Sequence, residues 1–478
     1  METTYLFSQE AQANFKHTIK FENYYFQTNE SEVAISKKNH QKVLLFGQVL
    51  HIQDTKLTLE DLVEKLNGST DIDSLIEASK YLLGRFIIVA QFGHKLFVLP
   101  DATGSIPVNY YLEGKEVAAS ANLSLLRDVF NLEVSDQAIA IKKGALEQQH
   151  PMPNDLTMLQ NVKNVLPNHY LDVTAKQTKR YFPIQKLPET SVDEVINQTS
   201  QIIGRILDEV MGKEKIAIPL TSGFDSRLIL SFFKDYTEHI VAYTFAHENF
   251  DENTADIVVP KALSERFNFE YKVLSRKNLD EVQLNQAASD LAGMQNVRIL
   301  ENAYTLASSE LNDRSFVPGD IIPLAKSNFG QNLPDSLASV SYLVTKSHNY
   351  SDESRASIKS WKDDLKAYLP SKNVSIYDLF FWENRWGRWF TNNAQNYDYF
   401  SNPLYIFNNR YLIELWLGVS RSERSKKAIH KGLIKKQWPE LLEIPVNPDE
   451  SRLSSITDNQ WIYYFGSYLK HYIKGWRR

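Results

Sequence analysis

The fold of this chain is decided by residues 213–233, KEKIAIPLTSGFDSRLILSFF. Residues 216–220 are a short apolar run with the length of a buried strand. A small, polar loop follows at 221–226, and the spacing of residues 227–233 predicts the first turns of an amphipathic helix. This order predicts a phosphate site, because the free backbone N–H groups at a helix N-terminus point at an anion and the helix dipole favours its charge.

The side chains of the loop suit that prediction. Thr221, Ser222 and Ser226 can add hydroxyl donors, and Gly223 lets the backbone approach a ligand closely. A carboxylate and a phosphate repel each other unless a cation lies between them. The presence of Asp225 beside the predicted phosphate site therefore predicts a bound Mg²⁺. The alternative is an ordinary strand–helix turn in which Ser and Asp cap the helix, and spacing alone does not decide between the two.

The complete string resembles the pyrophosphatase loop of the asparagine synthetase family (class II, glutamine-hydrolysing type), usually written Ser-Gly-Gly-x-Asp-Ser. Gly223, Asp225 and Ser226 match that pattern. Thr221 and Ser222 replace its first two residues, and both changes keep the loop small and polar. The resemblance implies a PP-loop domain, similar to the adenine nucleotide alpha hydrolases, that cleaves ATP between its α- and β-phosphates.

Composition limits the other classes of function. The chain has 478 residues, 43% of them hydrophobic, which is enough for two or more packed domains. A net charge of -5 and a pI near 6.2 predict no nucleic-acid partner. The absence of cysteine excludes disulfides, thiolate metal sites and cysteine nucleophiles. No signal core and no membrane-spanning apolar run are found, so we expect a cytoplasmic protein without a membrane partner.

Residues 1–188 are predicted to form a β-rich first domain. Strands are expected at 42–52 and 85–92, and helical periodicity covers 59–66 and 72–83. Patches of this region resemble the N-terminal glutaminase domain of class II asparagine synthetases, namely 84–89, 96–101, 104–111 and 166–172. The resemblance implies an αββα sandwich, two sheets between layers of helix, as in the N-terminal-nucleophile (Ntn) hydrolases.

The glutaminase chemistry is expected to be missing. In the resembled family a cysteine directly after the initiator Met attacks the glutamine amide. Glu2 stands at that position here, and the chain contains no cysteine at all. We therefore predict that the first domain keeps the fold and has lost the activity.

Residues 189–478 are predicted to form the synthetase domain, with a helical C-terminal part. Ser191 can cap a helix over 192–211. Further strands are expected at 239–245 and 271–274, and the alternation of strands with helices predicts a parallel sheet. Ligands of such sheets bind at the carboxyl ends of the strands. We therefore expect the loop and the end of the second strand to face each other across a nucleotide.

The resemblance also assigns roles to individual residues. It implies that ATP is bound by Thr221, Ser222, Gly223, Phe224, Asp225, Ser226, Tyr243, Phe245, Pro318 and Gly319. Mg²⁺ would be held by Asp225 and Asp320, although Ile321 and its neighbours stand where the family has a later aspartate. Either Asp320 supplies that metal contact from a shifted position, or the contact is lost. Asp225 and Lys427 are the implied catalytic residues. Lys427 stands at the lysine of the family's Lys-x-x-x-Arg element, and Lys431 stands in place of its arginine.

These observations predict an ATP-dependent carbon–nitrogen ligase that adenylates a small-molecule or peptide carboxylate and transfers it to ammonia or an amine, releasing AMP and pyrophosphate. Three alternatives stay open: a ring-closing synthetase that resembles β-lactam synthetases or lasso-peptide cyclases, a catalytically impaired nucleotide-binding scaffold, and a tRNA- or sulfur-modifying enzyme. The near-neutral charge and the missing cysteines weigh against the third. A homodimer is one partner arrangement that we keep open.

Overall fold

Three β-sheets organise the chain in the computed structural model, which describes residues 4–38, 40–144, 151–183, 185–248, 250–331, 333–366, 368, 373–448, 461–462, 464–466 and 469. Glu2, on which the glutaminase prediction rests, lies outside these residues. The strands are β1 (Tyr5–Ser8), β2 (His17–Phe21), β3 (Tyr24–Thr28), β4 (Val33–Lys38), β5 (Gln41–His51), β6 (Leu82–Phe92), β7 (Lys95–Pro100), β8 (Asn109–Glu113), β9 (Glu116–Ser120), β10 (Val162–Asn164), β11 (His169–Asp172), β12 (Gln177–Arg180), β13 (Ile216–Pro219), β14 (Ile240–Ala246), β15 (Glu270–Ser275) and β16 (Ser315–Phe316).

The helices pack outside the sheets, and along the chain helices also connect the strands of the third sheet. They are α1 (Leu59–Leu66), α2 (Ile72–Ser79), α3 (Leu123–Phe130), α4 (Asp136–Gly144), α5 (Val192–Val210), α6 (Phe224–Ser231), α7 (Ala255–Phe267), α8 (Glu281–Asp290), α9 (Val297–Ala307), α10 (Val340–Ser347), α11 (Asp352–Leu365), α12 (Ile376–Phe380), α13 (Gly387–Asp398), α14 (Arg410–Leu417), α15 (Arg421–Ser425) and α16 (Ala428–Gln437). A π-helical turn joins α12 to α13. None of the helices that the structure describes combines the length and the apolarity needed to cross a lipid bilayer.

The first twelve strands form two six-stranded antiparallel sheets, ordered β10-β8-β9-β1-β3-β2 and β12-β11-β7-β6-β5-β4. Apolar side chains of both sheets fill one core between them, for example Phe7 and Phe26 of the first sheet with Phe46 and Val89 of the second. The outer face of the first sheet packs on α3 and α4, and that of the second on α1 and α2. The four layers therefore have the order helix, sheet, sheet, helix.

The third sheet is parallel throughout and has the order β15-β14-β13-β16. Its central strand, β13, is followed directly by the polar loop and α6. The mixed α/β class, with a parallel sheet after an antiparallel region, is therefore confirmed at this coarse level. The boundary at residue 188 stays a prediction, since one apolar cluster includes residues from both sides of it, such as Leu45 and Ile216.

Polar contacts join the antiparallel region to the C-terminal helices. Arg85 forms a buried, two-pronged ion pair with Asp398, at 2.5 and 2.6 Å. The indole N–H of Trp382 donates to the carbonyl of Ala102 at 2.9 Å. Buried charges of this kind need matched partners, so these contacts orient the two regions relative to each other.

Two predicted helix boundaries were wrong. The helix predicted over 72–83 ends at Ser79, because Leu82 and Leu83 continue the apolar spacing but belong to β6. The helix after the loop begins at Phe224, three residues earlier than predicted, and ends at Ser231. The sequence Phe-Asp-Ser has little apolar periodicity, yet polar residues are normal in a first helical turn.

Candidate functional site

The N-terminus of α6 presents open hydrogen-bond donors. Gly223 is the N-cap residue, and no side chain caps the helix. Within the part of the chain that the structure describes, the backbone N–H groups of Phe224, Asp225 and Ser226 have no acceptor. Such N–H groups point along the helix axis, out of the N-terminal end of the helix. The end of this strand–loop–helix unit can therefore accept an anion.

The loop before α6 is braced by its own hydroxyl groups. The backbone N–H of Thr221 donates to Ser226 Oγ at 3.1 Å, and the two side-chain oxygens lie 3.0 Å apart. The N–H of Gly223 donates to Thr221 Oγ1 at 3.3 Å. Gly223 has a φ of -79°, which any residue can adopt. A Cβ at this position would lie 3.4 Å from Thr221 Oγ1 and 3.6 Å from Asn447 Oδ1, which are ordinary contact distances.

Asp225 is paired with a cationic side chain of the protein itself. Both of its carboxylate oxygens accept hydrogen bonds from Lys326 Nζ, at 2.8 and 2.7 Å, and His430 Nε2 lies 2.9 Å from Oδ1. Burial on its own would raise the pKa of Asp225, but His430 and Lys326 outweigh it and lower that pKa to about 2. Asp225 is thus ionised at neutral pH, and the 32% of its side chain that is exposed also favours the charged form.

Lys326 supplies the charge that balances Asp225. His430 is fully buried in α16, and burial lowers its pKa despite the neighbouring carboxylate. We therefore treat the imidazole as neutral at pH 7 and Lys326 as the positive partner. Lys326 follows a 3₁₀ turn, Ile322–Ala325, in the connection after β16, and Asp225 lies in α6, which follows β13. This contact therefore joins the segments that follow two neighbouring strands of the sheet.

Asp320 is a second carboxylate near Asp225. Burial and the charge of Asp225 together raise the pKa of Asp320 to about 7. Its charge in turn adds to the effect of burial on Tyr243, Tyr397 and Tyr405, whose pKa values are all raised. A carboxyl group in such surroundings is stabilised in its ionised form by any cation that comes between it and Asp225.

The raised pKa of Asp320 predicts a pH-dependent stability. In the unfolded chain its pKa is near 4, so the cost of ionising it in the folded protein begins near pH 4 and is complete above pH 7. We expect Asp320→Asn to leave the free energy of unfolding unchanged at pH 4 and to raise it by about 2 kcal/mol at pH 8, allowing for partial exposure of the group. Urea denaturation at both pH values measures this. An equal effect at pH 4 and pH 8 would contradict it, and the exposed Asp235→Asn is the control.

Lys427 lies next to the open end of α6. It precedes α16 with a left-handed backbone, φ 60°, and its Nζ is 5.0 Å from the centroid of the Phe224 ring. A lysine over an aromatic face gains a cation–π contact and leaves its ammonium group close to the ring. Lys431, one turn later, is exposed. Only the first of the two predicted basic positions is therefore seen beside the loop.

The remaining predicted ATP contacts surround the same strands. Tyr243 is buried among apolar side chains of the sheet, so a contact with a nucleotide would come from its backbone. Phe245 is half-buried and packs against Tyr243, with ring centroids 5.2 Å apart. Pro318 and Gly319 follow β16, and a Cβ on Gly319 would lie 3.4 Å from Ile229 of α6. Their roles in binding ATP stay predictions.

Residues 441–447, which follow α16, contact the loop and the start of α6. Arg227 is fully buried and donates to the carbonyl oxygens of Leu441, Ile444 and Pro445, at 3.0, 2.5 and 3.0 Å. The backbone N–H of Asn447 donates to the carbonyl of Ser222 at 3.1 Å. Burial lowers the pKa of Arg227 to about 10, which still leaves it charged at neutral pH. The loop is therefore fastened to residues more than 200 positions away.

Four residues around the loop were missed by sequence reasoning: Arg227, Lys326, His430 and Asp256, whose Oδ1 accepts hydrogen bonds from the backbone N–H and the hydroxyl of Ser222. Asp256 had one available signal, since it follows β14 at the edge of the sheet where ligands of parallel sheets bind. Arg227 directly follows the loop motif, but nothing in its type predicts hydrogen bonds to four backbone carbonyls. Lys326 belongs to no motif of the sequence analysis, and His430 occupies one of the unspecified positions of the Lys-x-x-x-Arg element, where the pattern gives no role to its type.

A separate cavity of about 440 Å³ lies between the antiparallel region and the third sheet. Its lining includes Gln48, Arg85, Arg314 and Asp398. Arg314 precedes β16, so this cavity is at the end of the sheet opposite to the loop. The loop is therefore identified as the candidate site by its chemistry and by its position at the carboxyl ends of the strands. This cavity does not contribute to that identification.

Comparison with known proteins gives weak similarities. No family model matches the sequence, and neither does any curated protein. The chain is similar to the NH3-dependent NAD synthetase of Campylobacter jejuni subsp. jejuni NCTC 11168, with 15% identity over 31% of this chain and 65% of that chain, and a TM-score of 0.20. It is also similar to glutamine phosphoribosylpyrophosphate amidotransferase of B. subtilis, with 9% identity over 60% of this chain and 64% of that chain, and a TM-score of 0.24. Both alignments span less than two thirds of the neighbour's length.

Proposed function

We propose that this protein is an ATP-dependent, AMP-forming carbon–nitrogen ligase similar to asparagine synthetases. The observation that carries the proposal is the open N-terminus of α6, where three free N–H groups lie next to Lys427 at the carboxyl end of β13. These groups suit the β- and γ-phosphates of ATP, because a helix N-terminus stabilises negative charge and a lysine adds a mobile positive charge.

The chemistry would depend on position and charge. A substrate carboxylate attacks the α-phosphorus, the bond to the bridging oxygen of pyrophosphate breaks, and an acyl-adenylate forms. An amine or ammonia then attacks the acyl carbon, and AMP leaves. Charge builds up on the bridging oxygen during the first step, so donors already in place at the loop lower its barrier without a covalent intermediate on the protein.

Mg²⁺ fits the two carboxylates of the site. Burial and the charge of Asp225 raise the pKa of Asp320, and a cation between the two carboxylates would offset their repulsion. The described residues include no cluster of three or more His, Cys, Asp or Glu side chains that could hold a metal ion alone. One or two carboxylates with phosphate oxygens are nevertheless the usual ligands of Mg²⁺ beside nucleotides. The ion would neutralise phosphate charge, and Lys326 would have to move to free Asp225.

The antiparallel region is proposed to lack glutaminase activity, because the chain has no cysteine to attack the amide. We expect incubation of the pure protein with glutamine, with and without ATP, to release no glutamate above the buffer blank. Glutamate release that follows the protein through a final gel-filtration step would show a different nucleophile. Without glutaminase activity, the amine would come from free ammonia, another subunit or an amine-bearing second substrate.

One observation favours a second candidate, a nucleotide-binding scaffold without catalysis. The ion pair of Lys326 with both oxygens of Asp225 neutralises the residue that we assign to Mg²⁺. If that contact persists with ATP bound, the metal loses one of its two carboxylates. A scaffold would bind ATP at the loop without releasing pyrophosphate.

The two candidates are separated by trapping the acyl-adenylate. The protein is incubated with MgATP, hydroxylamine and pools of carboxylic acids, including amino acids and short peptides, and both pyrophosphate and hydroxamate are measured. A ligase releases the two in equal amounts with its own acid. ATP binding with neither product across the pools would favour the scaffold, and the absence of ATP binding would contradict both.

A further inference from the structure

One donor group of the loop is already occupied by an anion of the protein itself. The backbone N–H and the hydroxyl of Ser222 both donate to Oδ1 of Asp256, at 2.8 and 2.7 Å. Ser222 stands where the resembled loop has glycine, so the hydroxyl contact depends on a side chain that the resembled pattern lacks. Two donors of the loop thus bind a carboxylate while the N–H groups of Phe224, Asp225 and Ser226 are open.

Asp256 is held at this position by its backbone. It is the second residue of α7, and its carbonyl oxygen lies 3.2 Å from Thr244 Oγ1. The same hydroxyl lies 2.5 Å from the carbonyl of Leu220, and it accepts a hydrogen bond from the Tyr271 hydroxyl at 2.8 Å. The first turn of α7 is therefore fastened to the carboxyl ends of β13 and β14, directly beside the loop.

This arrangement conflicts with a polyphosphate at the loop. Backbone N–H groups and hydroxyls that bind a carboxylate are the same groups that bind phosphate oxygens. Ser222 cannot serve both anions fully, and two negative charges a few ångströms apart repel each other strongly in a partly buried site. A polyphosphate that uses the open N–H groups of α6 would therefore meet the charge of Asp256 at the edge of its site.

We propose that Asp256 is an internal competitor for pyrophosphate at this loop. Its carboxylate occupies Ser222 in the empty site, gives up that contact when the polyphosphate binds, and returns to it as pyrophosphate leaves. The inference rests on the proposed function and adds a residue that sets the affinity of the site for pyrophosphate. Asp256 acts through Ser222 and is a positioning residue, without contact to the reacting atoms.

The opposite role would be that of a brace, in which Asp256 keeps its bond to Ser222 and shapes the loop for the nucleotide. The two roles predict effects of opposite sign. Removing the charge of a competitor strengthens the binding of pyrophosphate, whereas removing a brace weakens it. An asparagine at this position retains an oxygen that accepts the two Ser222 hydrogen bonds and loses only the charge.

The test is isothermal titration calorimetry of the full chain with magnesium pyrophosphate and, separately, with MgATP. The variants are Asp256→Asn and Glu252→Gln, because Glu252 is an exposed carboxylate in the same β14–α7 connection. We expect Asp256→Asn to bind pyrophosphate at least tenfold more tightly than the unchanged protein and Glu252→Gln to bind it within about twofold. Asp256→Ser, which also removes the charge, is the second variant if the first does not fold.

An unchanged or weaker affinity of the charge-removing variant, while the unchanged protein binds pyrophosphate, would overturn the competitor role and leave the proposed function intact. An equal gain in Glu252→Gln would show a general charge effect and would also overturn it. If neither the unchanged protein nor any variant binds pyrophosphate or ATP, both the inference and the proposed function fail.

Discussion

Replacing Lys427 with alanine is expected to lower the rate of pyrophosphate release by about a hundredfold and to weaken ATP binding by less than about threefold. The ammonium group of Lys427 already lies beside Phe224, the first residue of α6. A lysine at this position strengthens its contact as charge develops on the leaving pyrophosphate, so its loss affects the transition state more than the bound substrate.

The neighbouring lysine is the control for this prediction. Lys426 is exposed and its ammonium group pairs with Glu423 at 2.8 Å. Lys426→Ala should therefore release pyrophosphate at the unchanged rate. Rates are measured with the acid identified by hydroxamate trapping, and ATP affinity is measured by calorimetry. Equal rates in Lys427→Ala and Lys426→Ala would mean that Lys427 is a surface lysine whose only role is its contact with Phe224.

Replacing Asp225 with asparagine is expected to remove the Mg²⁺-dependent part of ATP binding. In the unchanged protein we expect MgATP to bind at least tenfold more tightly than ATP in EDTA, and in Asp225→Asn we expect the two affinities to be equal. The reason is that the carboxylate is needed to hold the ion, whereas the N–H groups of α6 bind phosphate with or without it.

Stability has to be measured alongside this binding. Asp225 has a pKa of about 2 in the folded protein, so its ionised form contributes stability that is present above pH 4 and is lost as the pH falls towards 2. Asp225→Asn should therefore have a lower melting temperature at pH 7, because Lys326 loses its counter-ion, and calorimetry is done well below that temperature. Asp193→Asn, an exposed carboxylate in the first turn of α5, is the control. A tenfold Mg²⁺ effect that survives in Asp225→Asn would remove Asp225 from the metal site.

Local sequence signals predicted the elements of the fold better than the contacts of the site. The strand at 216–219 and the helix at 192–210 were found because an apolar run and a Ser cap are local features. The partners of Asp225 could not be found in this way. Lys326 is 101 residues away along the chain, and its contact depends on β13 and β16 being neighbours in the sheet.

The same limit applies to the charges of the site. The sequence predicted a carboxylate that needs a cation, and the structure places Lys326 on that carboxylate as an internal cation. Asp256 shows the reverse case, an internal anion on a donor of the loop. Neither compensation follows from residue type or spacing, because each results from tertiary packing around an otherwise unbalanced charge.

The most direct test of the account is a crystal structure of the protein with Mg²⁺ and α,β-methylene-ATP, an analogue that cannot be cleaved between its α- and β-phosphates. We expect phosphate oxygens within hydrogen-bond distance of the backbone N–H groups of Phe224, Asp225 and Ser226, with Lys427 Nζ in contact with them. A nucleotide bound elsewhere, or a loop that stays empty at a saturating concentration of the analogue, would contradict the account.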